Sequence, residues 1–404
     1  MLSAEHGDIA TLERATRHDP KFALAHMALA RARFIVGDAL SARKALAQAK
    51  EHVAGATERE QSHVATMALA IEGKPVECFD ATRAHLARWP CDAMVASPAT
   101  GVFGLIGFSG RIGREPEQVA FLEALRPHLG TDWWFRMVWA FALLECGRAA
   151  EALEEMEASL ALRPTNAHGA HIKVHALYEL GRMGPALGYL QEWMPTYPKQ
   201  GMMHCHISWH VALCLLAENR ADEAWQVYRA QVHPGGAWGP ALNIATDGPA
   251  FLWRAELAGG TRDPAAWREI DAYAAKSFPR AGIAFVDVHN ALAALVAGND
   301  GRFAQLVDEI DARTASGKAP TGDTVPRLVA GLRAYAEGRF ADCARTLEEA
   351  RADTVRIGGS RAQRDLLEQT LLAALVKSGR TDQARRLLAG ITDRVPVVRV
   401  AGLA

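Results

Sequence analysis

The chain has 404 residues, with 45 Lys and Arg against 46 Asp and Glu, a net charge of −1 and 50% hydrophobic residues. That length is generous for one compact core and ordinary for a repeat structure. The balanced charge leaves no global field to recruit nucleic acid or an acidic membrane surface, so neither is an expected partner.

Alanine and leucine dominate and β-branched residues are sparse, which favours helices. At the N-terminus, "MLSAEHGDIATLERATRHDP" has no basic start followed by an apolar stretch, so no signal peptide is expected. No run approaches the ~18 apolar residues of a membrane span. Cys78, Cys91, Cys146, Cys205, Cys214 and Cys343 are scattered without a C-x-x-C pair. This predicts reduced, mostly buried thiols rather than a disulfide framework or zinc ribbon, in a cytoplasmic protein.

In chain order, several segments share one grammar: an apolar helix, a Gly- or Asn-containing turn, then an Ala-rich helix. "ALAHMALARARFIVGDALSARKALAQA" begins at Ala23, and "WAFALLECGRAAEALEEMEASLALRP" runs from Trp139 to Pro164. "VHALYELGRMGPALGYL", "VALCLLAENRADEAWQVY", "GLRAYAEGRFADCARTLEEA" and "LLAALVKSGRTDQARRLLA" follow. Gly37, Gly147, Gly181, Gly338 and Gly379 fall where a first helix ends, a position that favours positive φ. Ala152, Ala186, Ala224, Cys343 and Ala384, five positions after a turn residue, are small enough for close helix packing. The Trp139–Pro164 stretch follows the tetratricopeptide pattern. The expected fold is therefore all-α: one continuous right-handed superhelical domain over 1–404, a solenoid of tetratricopeptide-like helical hairpins. Two stretches break the pattern: the glycine-rich 91–132 and the Gly/Pro-rich 233–250, the latter expected as a long connection. Trp133 and Trp134 are expected in the core. If exposed, they would mark a contact surface, such as that of a homodimer.

Six of the fifteen histidines lie between residues 168 and 210. His171/His175 and His206/His210 are each spaced by four, so each pair points one way from its helix. Such pairs can hold a metal ion or bracket a substrate group. The pairs are 35 residues apart, close to one repeat, although the turns at Arg182 and Arg220 are 38 apart, which would shift the register of one pair. His204 is expected to be peripheral, and the place of His168 is open. Asp247 precedes an apolar helix and reads as its N-cap. Asp287 and His289, two apart, would face nearly opposite ways, unless a carboxylate there orients a histidine. No H-E-x-x-H, G-x-S-x-G, P-loop or dinucleotide pattern is present.

These stretches also carry a resemblance. "HIKVHALYELGR", "CHISWHVALCLL", "DGPAFLWRAELAG", "FVDVHNALAALVAG" and "GGSRAQRDLLEQTLLAAL" are similar to segments of the tetratricopeptide repeat protein 38-like family, over about residues 30 to 390. The resemblance implies His171, His175, His206, His210, Asp247, Asp287, His289, Gln363, Arg364 and Asp365 as matching polar positions. The chain departs from the family at "HISW" and at Pro249 with Ala250.

Two functions are expected to compete. One is an enzyme of the groove, a hydrolase for a small aromatic or acyl substrate. His171, His175, His206, His210, His289, Asp247 and Asp287 would supply its chemistry. It would work with a divalent metal (zinc, iron or manganese) on the four paired histidines, or without metal as a His/Asp general base. Trp209, Trp253, Phe251 and Trp139 would line the substrate site. Arg364 would clamp an anion, or else pair with Asp365 or Asp247. The other is a non-catalytic scaffold holding a partner peptide in its concave groove. An enclosed pocket of clustered imidazoles would favour chemistry, and an open groove the peptide.

Overall fold

The computed structural model describes residues 2–390 and 400–403. Among these the chain is all-helical, with twenty-two α-helices packed against their sequence neighbours and no strand. None of the described helices is long and apolar enough to cross a membrane.

The turn grammar has a physical basis. Gly37, Gly147, Gly181, Gly338 and Gly379 all take positive φ, from 68° to 85°, and Asn219 takes 59° at the equivalent place. The backbone reverses at each of them, and the small residue five positions on is then driven into the neighbouring helix. Ala152, Ala186, Ala224, Cys343 and Ala384 are all fully buried. Side-chain caps set several helix starts, with full capping boxes at Thr57/Glu60 and Ser360/Gln363. The six cysteines are unpaired and four are buried. Trp134 is buried, and Trp133 is half-buried under the guanidinium of Arg163.

One connection differs from its expected length. The helix Ala241–Leu257 begins eight residues before Pro249 and runs through it, so only 233–240 is irregular. Proline removes one backbone hydrogen bond and normally breaks a helix. Here packing overrides it: Gly248 lies so close to Ile270 that an added Cβ would fall 2.7 Å from the Ile270 side chain. Asp247 is therefore not the N-cap of this helix. It sits in the middle, with its side chain free to reach another element.

The glycine-rich 91–132 stretch contains short helices, Ala93–Ala96, Arg114–Glu123 and Arg126–Leu129, around a tightly turned loop. It docks on distant parts of the chain. At Gly110 an added Cβ would stand 2.4 Å from the Pro320 carbonyl oxygen. The buried Arg114 donates from Nε to the Val355 carbonyl at 2.7 Å and from Nη2 to that of Gly359 at 2.8 Å. The helix Arg361–Lys377, which follows, packs on Ala167–Glu179 and Ala241–Leu257. Tyr178 donates to Asp365 at 3.0 Å, and Trp253 Nε1 donates to Thr370 at 2.9 Å. The C-terminal part of the chain thus closes over the helices that carry the paired histidines.

Candidate metal centre

His171 and His175 project from Ala167–Glu179, and His206 and His210 from His204–Ala217. The spacing of four puts each pair on one face, and the two faces meet. One ring nitrogen from each of the four lies within 4.8 Å of all the others, and all four residues are buried. His171 Nε2 stands 2.8 Å from His175 Nε2 and 3.0 Å from His206 Nε2. His204 and His168 lie outside this group.

Asp247 orders the cluster from behind. His206 Nδ1 lies 2.7 Å from Asp247 Oδ2. A carboxylate only accepts, so His206 Nδ1 carries the proton and Nε2 turns a lone pair inward. This is the outer-shell carboxylate arrangement common behind metal-ligating histidines.

Burial disfavours the imidazolium form of His171, His175 and His210. It holds His171 and His210 well below the ordinary histidine value, and His175 at about 3, with neighbouring histidines adding to the effect. The rings of His171, His175 and His210 are therefore neutral and their lone pairs available. The proton count does not close among them. His171 Nε2 can either donate or accept, yet it faces two Nε2 atoms, one of which already offers a lone pair. Neither ring nitrogen of His210 has a hydrogen-bond partner among the described residues, and neither does His171 Nδ1. Each orphaned buried group costs about 1–3 kcal/mol. A cation at the shared focus would satisfy the converging lone pairs together, so the donor set fits a metal ion.

The other expected site residues divide clearly. Trp209 belongs with the cluster: its ring stacks on His206 at 5.4 Å and meets His210 edge-on at 4.8 Å. His289 instead donates from Nδ1 to the Phe285 carbonyl at 2.7 Å within its own helix. Asp287 accepts from the Gly282 backbone N–H at 3.0 Å and lines a separate cavity. Phe251 stacks on Tyr228, Trp253 packs on Trp267 and Tyr335, and Trp139 packs on Phe135 under Arg126. These three aromatics pack within the core. Arg364 pairs with Glu115 and Glu145, not with Asp365 or Asp247.

Sequence reasoning passed over three participants. Phe141 packs against His175 at 5.6 Å and His171 at 6.1 Å. Its signal was its place in Trp133–Glu145, the apolar helix that ends at the Gly147 turn. Arg254 is fully buried beside Trp209, with its charge spread over Gln369 and the carbonyls of Ala250, Ala362 and Gln363. Tyr178 stood inside a quoted motif as its hydroxyl reached Asp365 across the fold. No protein-family model matches the sequence.

Proposed function

We propose that the four histidines bind a divalent metal and that the protein is a metal-assisted hydrolase of a small aromatic or acyl substrate. The scaffold in this reading is a single superhelix of tetratricopeptide-like hairpins, supported by the recurring positive-φ turns and the buried small residue five positions after each. Six unpaired thiols fit a reducing compartment such as the cytoplasm.

The observation that carries the proposal is the convergence of four buried imidazole nitrogens within 4.8 Å of one another, one ring held from behind by Asp247. Imidazole donors suit zinc or iron better than manganese, which prefers oxygen ligands. A divalent ion so held would polarise a carbonyl and make water a stronger nucleophile at neutral pH. The chain's own groups do the rest. Asp247 fixes the tautomer and angle of His206. Trp209 and Phe141 supply apolar surface beside the rings for an aromatic or acyl group. Arg254, behind Trp209, keeps a fixed positive charge near the site. The buried imidazoles favour this reading over a peptide scaffold, because a peptide laid in an open groove would not reach them.

The test is hydrolysis of a panel of aryl esters and N-acyl amides by full-length protein loaded with zinc or iron. Turnover should fall at least about a hundredfold on chelation or in His206→Ala, the range expected when a catalytic metal is lost. Turnover unchanged by either treatment would overturn the proposal. A metal-loaded protein that cleaves nothing in the panel would overturn its hydrolase half.

A further inference from the structure

A second site lies where Asp287 actually points. The segment Gly282–Asp287, the end of the helix Asp300–Ala315 and the start of Thr324–Ala336 enclose a cavity of about 180 Å³. Phe108 from the glycine-rich loop closes one side. Ile283, Ile310 and Val325 give it an apolar wall, and Gly282 and Ile283 stand exposed at its mouth. The volume is below the ~300 Å³ at which drug-sized pockets begin, so the occupant would be small.

Two charged groups face this space from opposite elements. The half-buried Arg313 guanidinium has no hydrogen-bond acceptor and no carboxylate within ion-pair distance among the described residues. The nearby Glu309 does not serve it, being held by Arg280 and the Ala281 N–H. Asp287 accepts from the backbone N–H groups of Gly282 and Ile283, and it feels the charge of Arg313 across the space without any cation within ion-pair distance among the described residues. Arg356, also in the wall, is occupied by the carbonyl of Gly110 at 2.9 Å. The cavity therefore presents an unpaired cation, an unpaired carboxylate and a hydrocarbon surface.

We infer that this cavity binds an aliphatic α-amino acid, its carboxylate on Arg313, its ammonium on Asp287 and its side chain against Phe108, Ile310 and Val325. A zwitterion compensates both charges at once, whereas a simple acid or amine leaves one uncompensated. Burial pushes the Asp287 carboxyl up to about 6, and the backbone N–H groups and the more distant Arg313 offset that only in part. The site is separate from the histidine cluster and stands whether or not that cluster holds a metal.

Calorimetric titration of the full chain with L-leucine, 4-methylpentanoate and 3-methylbutylamine tests this, in chelated and metal-loaded protein. L-leucine should saturate one site equally in both preparations. The acid and the amine should each bind at least about tenfold more weakly, a difference of about 1.4 kcal/mol. Arg313→Gln, at a half-exposed position that does not threaten the fold, should weaken L-leucine by at least about tenfold. Ala284→Phe should block the cavity. No saturable binding of L-leucine to the wild-type chain would overturn the inference, as would undiminished binding to Arg313→Gln. Equal affinity for 4-methylpentanoate would overturn the role given to Asp287.

Discussion

At the scale of single residues, His206 and Asp247 form the most informative pair. Asp247 makes no contact with the converging nitrogens; it acts through His206. Asp247→Asn should therefore leave the ligand set intact and lower metal affinity by about 10–100-fold, as outer-shell substitutions do, readable by competition with a chromophoric chelator. An unchanged affinity would show that Asp247 does not orient the ring. His210 is informative for the opposite reason, because its two nitrogens have no hydrogen-bond partner among the described residues. His210→Leu should abolish tight binding while stabilising the metal-free protein, because it removes an unsatisfied buried polar group. Thermal melts of the chelated variant and wild type would check the second effect. The histidine spacing was legible in the sequence because a helix converts four residues into one face. Asp247 was misread because its partner lies 41 residues away and the adjacent Gly248–Pro249 looks like a break.

At the scale of elements, the helix Ala241–Leu257 is held against its own sequence. Pro249 withholds one backbone hydrogen bond from the middle of this helix. Pro249→Ala should restore that bond and raise stability by about 1–2 kcal/mol, once the entropy proline removes from the unfolded chain is discounted. Chemical denaturation would measure it, and a loss of stability would mean that the proline ring contributes packing the helix needs. The recurring turns between helices, by contrast, were readable from short-range rules. A turn residue with positive φ and a small residue five positions later lie within one window of sequence, and both fell where expected. The aromatic residues show the limit of that reasoning. Phe251 and Trp253 sit in one helix with Asp247 yet face the core, and only the packing of neighbouring helices decides which side becomes a site.

At the scale of the whole molecule, contacts between the glycine-rich loop and the C-terminal helices close the structure over the histidines. None of this was visible locally, since Arg114 and its acceptor Val355 are separated by 241 positions. Arg114→Met should cost about 3–5 kcal/mol, because it leaves the carbonyls of Val355 and Gly359 without their donor and Glu115 without this cation. Acid stability follows from the buried histidines. In the metal-free protein the folded values of His171, His175, His210 and His289 lie below the unfolded value, so the unfolded state binds more protons as pH falls. Stability is then lost below about pH 6.5, by up to about 1.4 kcal/mol per histidine per pH unit, until each folded value is reached, at about 3 for His175 and about 4 for His289. Asp287 and Glu145, raised to about 6 and about 7, act in the opposite sense and offset part of the loss, but the lowered histidines, His168 among them, outnumber them. Melts of chelated protein from pH 7 to 5 should fall steeply, and a flat profile would contradict neutral buried imidazoles.

The most direct measurement is the metal content of untagged, full-length protein and of its His171→Ala/His206→Ala double variant, by elemental analysis after zinc or iron loading and desalting. The account predicts close to one ion per wild-type chain and none in a variant that still melts cooperatively. A folded wild-type chain that retains no metal, or a double variant that retains as much, would contradict it.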